Sequence, residues 1–149
     1  MQSIDKFNIR VYGILVENKQ LLIVEECYKQ REITKLPGGG MNPGEGTIEC
    51  LCRELKEELN IDIEVKNHFY TTDFFQQSVF RSDEQILSIY YIIKRKHPAQ
   101  PINYSWQEVA NEHKIKFRWI GLNNVDEGLF TFPIDKKVST LISNTKHWV

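Results

Sequence analysis

The stretch that decides the fold is Gly39-Gly40-Met41-Asn42-Pro43-Gly44-Glu45-Gly46-Thr47-Ile48-Glu49-Cys50-Leu51-Cys52-Arg53-Glu54-Leu55-Lys56-Glu57-Glu58-Leu59-Asn60-Ile61. Its first half is poor in side chains. Residues 37–46 hold five glycines and two prolines, the composition of a loop shaped by special backbone angles and not of a random linker. Its second half has helical periodicity. Thr47 is the predicted helix cap, and Ile48, Leu51, Cys52, Leu55 and Leu59 recur at spacings that form one buried stripe. Asn60 can end the helix, because its short amide side chain tolerates a left-handed backbone better than most residues.

At about 100° per residue, Glu54, Glu57 and Glu58 share a sector about 100° wide beside that stripe. Like charges three and four residues apart on a helix repel unless a cation, a proton or solvent offsets them. A solvated acidic face, with pairs such as Arg53 with Glu57 and Glu49 with Arg53, is one outcome. A divalent metal is the other, since carboxylate oxygens suit Mg²⁺ or Mn²⁺ bridging to substrate phosphates. The glycine loop favours the metal, because the bare backbone of Gly38, Gly39 and Gly40 lets a metal-bound phosphate approach beside the glutamates. Cys50 lies about 160° around the helix from Cys52, so no paired thiol centre is expected.

Outward from this block, Phe7–Val16 reads as a strand, Asn18-Lys19-Gln20 as a polar turn, Leu21–Val24 as a hairpin partner and Arg31–Leu36 as a short strand. Beyond the helix, Ile61–Thr72 and Gln85–Lys96 read as strands flanking the irregular segment Asp73–Glu84. Pro98–Glu112 reads as connection, Ile115–Ile120 as a strand, Asn123–Gly128 as a short helical turn, and Ile134 to about Asn144 as a helix opened by Pro133. No repeat or linker divides the chain, and 149 residues are too few for two ordinary cores, so one domain spanning 1–149 is expected.

The charge balance, 19 Lys and Arg against 20 Asp and Glu, offers no global attraction to a polyanion, so long nucleic acids are poor partners. Lys94-Arg95-Lys96-His97 is too brief to change that and reads as a solvated strand end. No apolar run approaches the roughly 20 residues needed to cross a bilayer. The first residues lack the basic and apolar regions of a signal peptide, and three cysteines without metal-site spacing suit free thiols, so a cytoplasmic location is expected.

The quoted stretch resembles the signature of the Nudix hydrolase family: Gly, five residues, Glu, seven residues, Arg-Glu-aliphatic, one residue, Glu-Glu, one residue, Gly, aliphatic. Here these positions are Gly39, Glu45, Arg53-Glu54-Leu55, Glu57-Glu58 and Asn60-Ile61, with Asn60 the one departure. Arg118-Trp119-Ile120 before Leu122 also resembles the family's late strand and helix junction. The resemblance implies an α/β fold, an α/β/α sandwich with a mixed β-sheet, and metal-dependent hydrolysis of a nucleoside triphosphate or small nucleoside-diphosphate-linked compound at a pyrophosphate bond. It implies Glu54 and Glu58 as principal Mg²⁺ (or Mn²⁺) ligands, Glu57 as a further ligand or water-activating base, the Gly39 carbonyl as a ligand, and Glu45 as the residue that holds Arg53.

A later acidic residue often joins such a site; Glu112 is favoured over Glu108, Asp83 and Glu84. Arg10, Arg31 and Lys35 precede the box and can neutralise phosphate. Phe69, Tyr70, Phe74, Phe75 and Phe80 are candidates for a base-stacking wall, with Phe74 and Phe75, beside Gln76 and Gln77, the favoured pair. The proline that marks an ADP-ribose branch and the tyrosine that marks a dinucleotide polyphosphate branch are missing from the window Phe74–Ser78. A sugar-nucleotide pyrophosphatase and a non-catalytic nucleotide-binding module are the alternatives, the second opposed by the intact glutamate set. The expected partner is a small-molecule nucleotide, and a homodimer is left open.

Overall fold

A computed structural model describes residues 3–148 of the chain. In it the glycine block and the helix stand against a mixed β-sheet. The strands are β1 (Lys6–Glu17), β2 (Gln20–Tyr28), β3 (Arg31–Lys35), β4 (Gly38–Gly40), β5 (Ile63–Thr71), β6 (Glu84–Arg95), β7 (Gln107–Ala110) and β8 (His113–Gly121). The helices are α1 (Thr47–Leu59) and α2 (Pro133–Ser143), with a 3-10 turn at Leu122–Asn124. The main strand order is β5-β6-β1-β2-β8-β7, with β3 attached to β2 and β4 to β1. The long β1–β6 pairing is parallel and the other strand pairings are antiparallel, which makes the sheet mixed.

Alternation along the strands builds a core on each face. Val11 and Leu15 of β1 and Leu22 and Val24 of β2 pack with Leu51, Leu55 and Leu59 of α1. The intervening Tyr12, Ile14, Leu21 and Ile23 pack with Ile134, Val138 and Ile142 of α2. The result is the expected α/β/α sandwich. Truncating Leu55 to alanine in such a core costs roughly 2–5 kcal/mol.

The arrangement that matters for function is a fork. β1 and β2 are joined at a tight turn, where Asn18 and Lys19 both take positive φ (51° and 59°). They pair only at Val16 with Leu21 and Glu17 with Gln20. Beyond those pairs the strands splay, and β3 and β4 attach to their separated edges. The cleft opens between the prongs.

Several sequence expectations are corrected. Thr47 does not cap α1; Gly46 does, with its N–H donating to the Glu49 carboxylate at 3.1 Å, while the Thr47 hydroxyl bonds Tyr91 Oη at 2.7 Å. Ile48 is exposed, and Cys50 is buried in its stead, because the glycine loop folds over that side of the helix and widens its covered arc. The region read as connection contains β7, a four-residue edge strand whose register shift and exposed Val109 hide its alternation. Asn60 ends α1 in the left-handed region (φ 53°), as expected.

Candidate active site

Two glycines explain how the loop reaches the helix. Gly38 has φ 146°, and a Cβ there would fall 2.1 Å from the Val11 carbonyl oxygen. A Cβ on Gly39 would fall 2.6–2.7 Å from the carboxylate of Glu54. Only bare backbone at both positions lets β4 lie between β1 and the acidic face of α1.

Arg53 locks this contact. Its Nε and Nη2 donate to the two oxygens of Glu45 at 2.9 and 2.6 Å, Nη2 also donates to the Gly40 carbonyl at 3.0 Å, and Nη1 reaches Glu54 at 2.9 Å. Hydrogen bonding to Arg53 holds the Glu45 carboxyl well below its usual range. Under the loop, the Cys50 thiol lies 3.6 Å from the Gly40 carbonyl oxygen and is pushed up to about 12 by burial, which leaves it an unreactive thiol.

Glu54 and Glu58 line a cleft of about 680 Å³ with Gly38, Gly39, Gly40, Arg10 and Lys35. The Glu58 carboxyl is pushed up to about 7, chiefly by burial, with the charges of Glu54 and Glu26 adding to the rise while Lys35 and Arg10 oppose it. Arg10 and Lys35 line the same cleft. Arg10 donates through Nε to Tyr12 Oη at 2.6 Å. Lys35 is buried 3.2 Å from Glu26, which also meets His113 Nε2 at 2.8 Å. Burial works to discharge Lys35, but Tyr12 and Glu26 hold its ammonium above the ordinary lysine range. It is a charged group inside the cleft.

The cleft's wall runs from the closed end of the fork to its open end. Tyr12 and Tyr90 are paired across β1 and β6 and stack at 5.4 Å between centroids. Beside them Asp135, at the start of α2, accepts a hydrogen bond from Tyr90 Oη, and burial pushes its carboxyl up to about 6. Toward the open end stand Asn8, Tyr28, His113 and the segment Gln76–Arg81.

Not every residue singled out from the sequence stands in the cleft. Glu57 is on the exposed rim, its carboxylate 3.3 Å from Arg53 Nη1. Arg31 lies outside the lining, over the Phe80 ring at 5.8 Å. Phe74 and Phe75 line a separate shallow depression with Thr72 and Asp73, because residues 73–84 fold back along β6 through the Gln77–Gln85 bridge and turn Val79 and Phe80 toward the cleft instead. Glu112 occupies the β7–β8 turn with φ 57° and is outside the cleft lining, whereas its neighbour His113 faces in. Sequence reasoning missed Glu26, Tyr12, Tyr90 and Asp135. Glu26 carried one usable signal, as a charged residue placed on the inward period of a buried strand.

Among the described residues, no group of three or more His, Cys, Asp or Glu side chains converges to hold a metal ion. The donors present still suit a hard cation. The carboxylates of Glu54 and Glu58 line one cleft beside a glycine backbone that a Cβ would block, a set of oxygen donors of the kind a hard cation takes.

The NUDIX domain family matches residues 6–140, and the chain belongs to it. It is 29% identical over 128 residues to the mouse (Mus musculus) protein "Nucleoside diphosphate-linked moiety X motif 6", covering 85% of this chain and 38% of that protein's length. It is 27% identical over 108 residues to the "8-oxo-dGTP diphosphatase" of Buchnera aphidicola, covering 69% of this chain and 82% of that protein. The fold is shared with the solution structure of the E. coli ORF135 protein (TM-score 0.68, 18% identity, 91% and 88% of the two chains). Family members typically use divalent metal ions and hydrolyse pyrophosphate bonds in nucleotide-linked compounds. No helix of the described residues is long and apolar enough to cross a membrane.

Proposed function

We propose that residues 1–149 act as one Nudix-type nucleotide pyrophosphohydrolase dependent on Mg²⁺, with Mn²⁺ able to substitute. One observation carries this reading: Glu54 and Glu58 share a cleft with the Gly38–Gly40 backbone and with two cations, Arg10 and the buried Lys35. Such a cleft pairs an anionic face for metal with a cationic face for phosphate.

Glu54, Glu58 and the Gly39 carbonyl would hold the divalent ion, which when bound neutralises phosphate oxygens and lowers the pKa of the attacking water. The chain's own residues do the rest. Arg10 and Lys35 bind the phosphate chain and hold it for in-line attack. Glu45 acts through Arg53, keeping Glu54 against the loop. Glu57 accepts the proton of the attacking water, and its exposed rim position lets it return that proton to solvent. Water adds to one phosphorus, the bridging P–O bond breaks, and the departing phosphate takes the bond's electron pair. Tyr12 and Tyr90, buried and stacked on each other, close the inner end of the cleft, where Asp135 accepts from Tyr90 Oη.

The test is a screen of nucleoside triphosphates, ADP-ribose, sugar nucleotides and dinucleoside polyphosphates with identification of products, with and without Mg²⁺. Mg²⁺-dependent release of a nucleotide product is expected, and Glu57→Gln is expected to bind nucleotide yet turn over at least 100-fold more slowly. Equal rates in the presence of a chelator would overturn the metal-dependent reading.

A further inference from the structure

One segment of the chain bridges the open end of the cleft from one prong of the fork to the other. Residues 76–83 run back along β6 as a short tongue with a firm root. Ile86 N–H donates to the Gln76 carbonyl at 2.8 Å and Ser78 N–H to the Glu84 carbonyl at 2.9 Å. The start of β1 holds the returning arm, with the N–H groups of Asp5 and Lys6 donating to the Asp83 carbonyl at 3.0 and 3.2 Å and Lys6 Nζ reaching the Asp83 carboxylate at 2.9 Å. At the tip the Ser78 hydroxyl oxygen accepts from the Phe80 and Arg81 N–H groups at 3.2 and 3.3 Å, which makes residues 78–81 one tight turn.

The tip meets the facing prong through rings. Phe80 stands edge-on to Tyr28, with centroids 5.3 Å apart at 85°, and the Arg31 guanidinium lies 5.8 Å from the Phe80 centroid. Tyr28 and Arg31 are register partners at the end of the β2–β3 hairpin, and His113 braces Tyr28 from β8 at 5.0 Å, so the receiving surface is fixed. Ring contacts of this kind are individually weak at an exposed site, and separating them breaks no backbone hydrogen bond. Phe80 is 50% exposed and Val79 47%, so the tip is no part of the core. A strong root and a weak tip make a segment that can open locally while the sheet stays intact. Both the tip and the surface that receives it line the cleft.

We propose that this tongue is a latch: Phe80 docked on Tyr28 and Arg31 closes the open end of the cleft over bound nucleotide, and undocking lets substrate in and product out. The latch rests on the reading of this cleft as a nucleotide site, because it governs access to Glu54 and Glu58. Phe80 carries no group that takes part in the hydrolytic scheme, so its loss changes how long nucleotide is held and leaves the bond-breaking step alone. Removing one aromatic pair and one cation–π contact shifts the balance between docked and undocked tip on the order of tenfold.

The experiment reads docking by limited trypsin cleavage of the full chain after Arg81, identified by fragment mass, without nucleotide and at low protease, so that the cutting rate follows the population of the undocked tip. Phe80→Ala should be cut about tenfold faster than wild type at an unchanged melting midpoint, and Phe80→Trp at the wild-type rate. Tyr28→Leu acts from the facing prong, far from the cut bond, and should give the same acceleration. A second arm follows steady-state hydrolysis of the nucleotide turned over fastest in the Mg²⁺ screen. There Phe80→Ala should raise KM about tenfold without lowering kcat, and Phe80→Trp should restore KM. A wild-type cutting rate in Tyr28→Leu, or an unchanged KM in Phe80→Ala, overturns the latch. If no nucleotide in the screen is hydrolysed, the hydrolytic reading falls, while the cutting rates still decide whether the tip docks.

Discussion

Gly39→Ala adds one methyl group where the structure leaves no room for it. The new Cβ would lie 2.6 Å from the carboxyl carbon of Glu54 and 2.7 Å from both oxygens, while ordinary contact begins at 3.4 Å. Relief requires a displacement of about 0.8 Å. The backbone of Gly39 is register-paired with Val11 and cannot withdraw freely, so the movement falls on Glu54, which is also tied to Arg53 at 2.9 Å. A misplacement of about 1 Å in a catalytic constellation costs on the order of 100-fold, so kcat/KM should fall between tenfold and 100-fold. The assay is steady-state hydrolysis across an Mg²⁺ titration, with the melting midpoint as a control for folding. The metal concentration for half-maximal rate should rise, and the fold should survive because Gly39 has no positive φ that alanine would resist. A folded variant that keeps wild-type kcat/KM and wild-type metal dependence would refute the claim that glycine is needed here to seat Glu54.

Three further outcomes are expected. Burial pushes the Asp135 carboxyl up to about 6 from 3.8, so the native chain binds this proton more tightly than the unfolded chain and loses stability as pH rises from about 4 to about 6, with the full cost present above that window. Asp135→Asn should therefore gain stability over wild type between about pH 4 and pH 8, by on the order of 3 kcal/mol; melting curves whose difference stays constant across that range would contradict the assignment. Lys35→Met leaves Glu26 buried with only His113 beside it, and should cost roughly 3 kcal/mol by urea unfolding, whereas a neutral or stabilising result would show that Lys35 does not compensate that carboxylate. Arg53→Lys keeps the charge but cannot span both oxygens of Glu45, so kcat should drop about 10- to 100-fold with little change in melting; full activity would remove Arg53 as a positioning residue.

The box from Gly39 to Ile61 made the acidic helix face legible before any coordinates, because its spacing is local, and its resemblance to the Nudix signature implied the sandwich and the Glu45–Arg53 link. Three to four residues separate groups on one helix face. The left-handed end at Asn60 and the strand alternation in β1 and β2 are likewise short-range consequences of residue type. The correct reading failed where covering came from elsewhere in the chain. Cys50 is buried by the loop, not by the stripe of its own helix, and Phe74 is turned away from the cleft by the fold-back of residues 73–84.

What the linear chain determines by itself is therefore the acidic helix, the bare loop pressed against it and the two-faced strands, since each depends on neighbours a few positions apart. Only the tertiary structure decides which charges and rings share the cleft. Glu26, Lys35, Asp135, Tyr28, His113 and Phe80 are distant in sequence, and they meet because β1 and β2 separate after their hairpin turn and open the space between them. Sequence spacing along one element carries no information about that convergence, which is why the acidic helix face and the nearby Arg10, Lys35 and glycine backbone could be read from the residues, while Glu26, Tyr28, His113 and Asp135 could not.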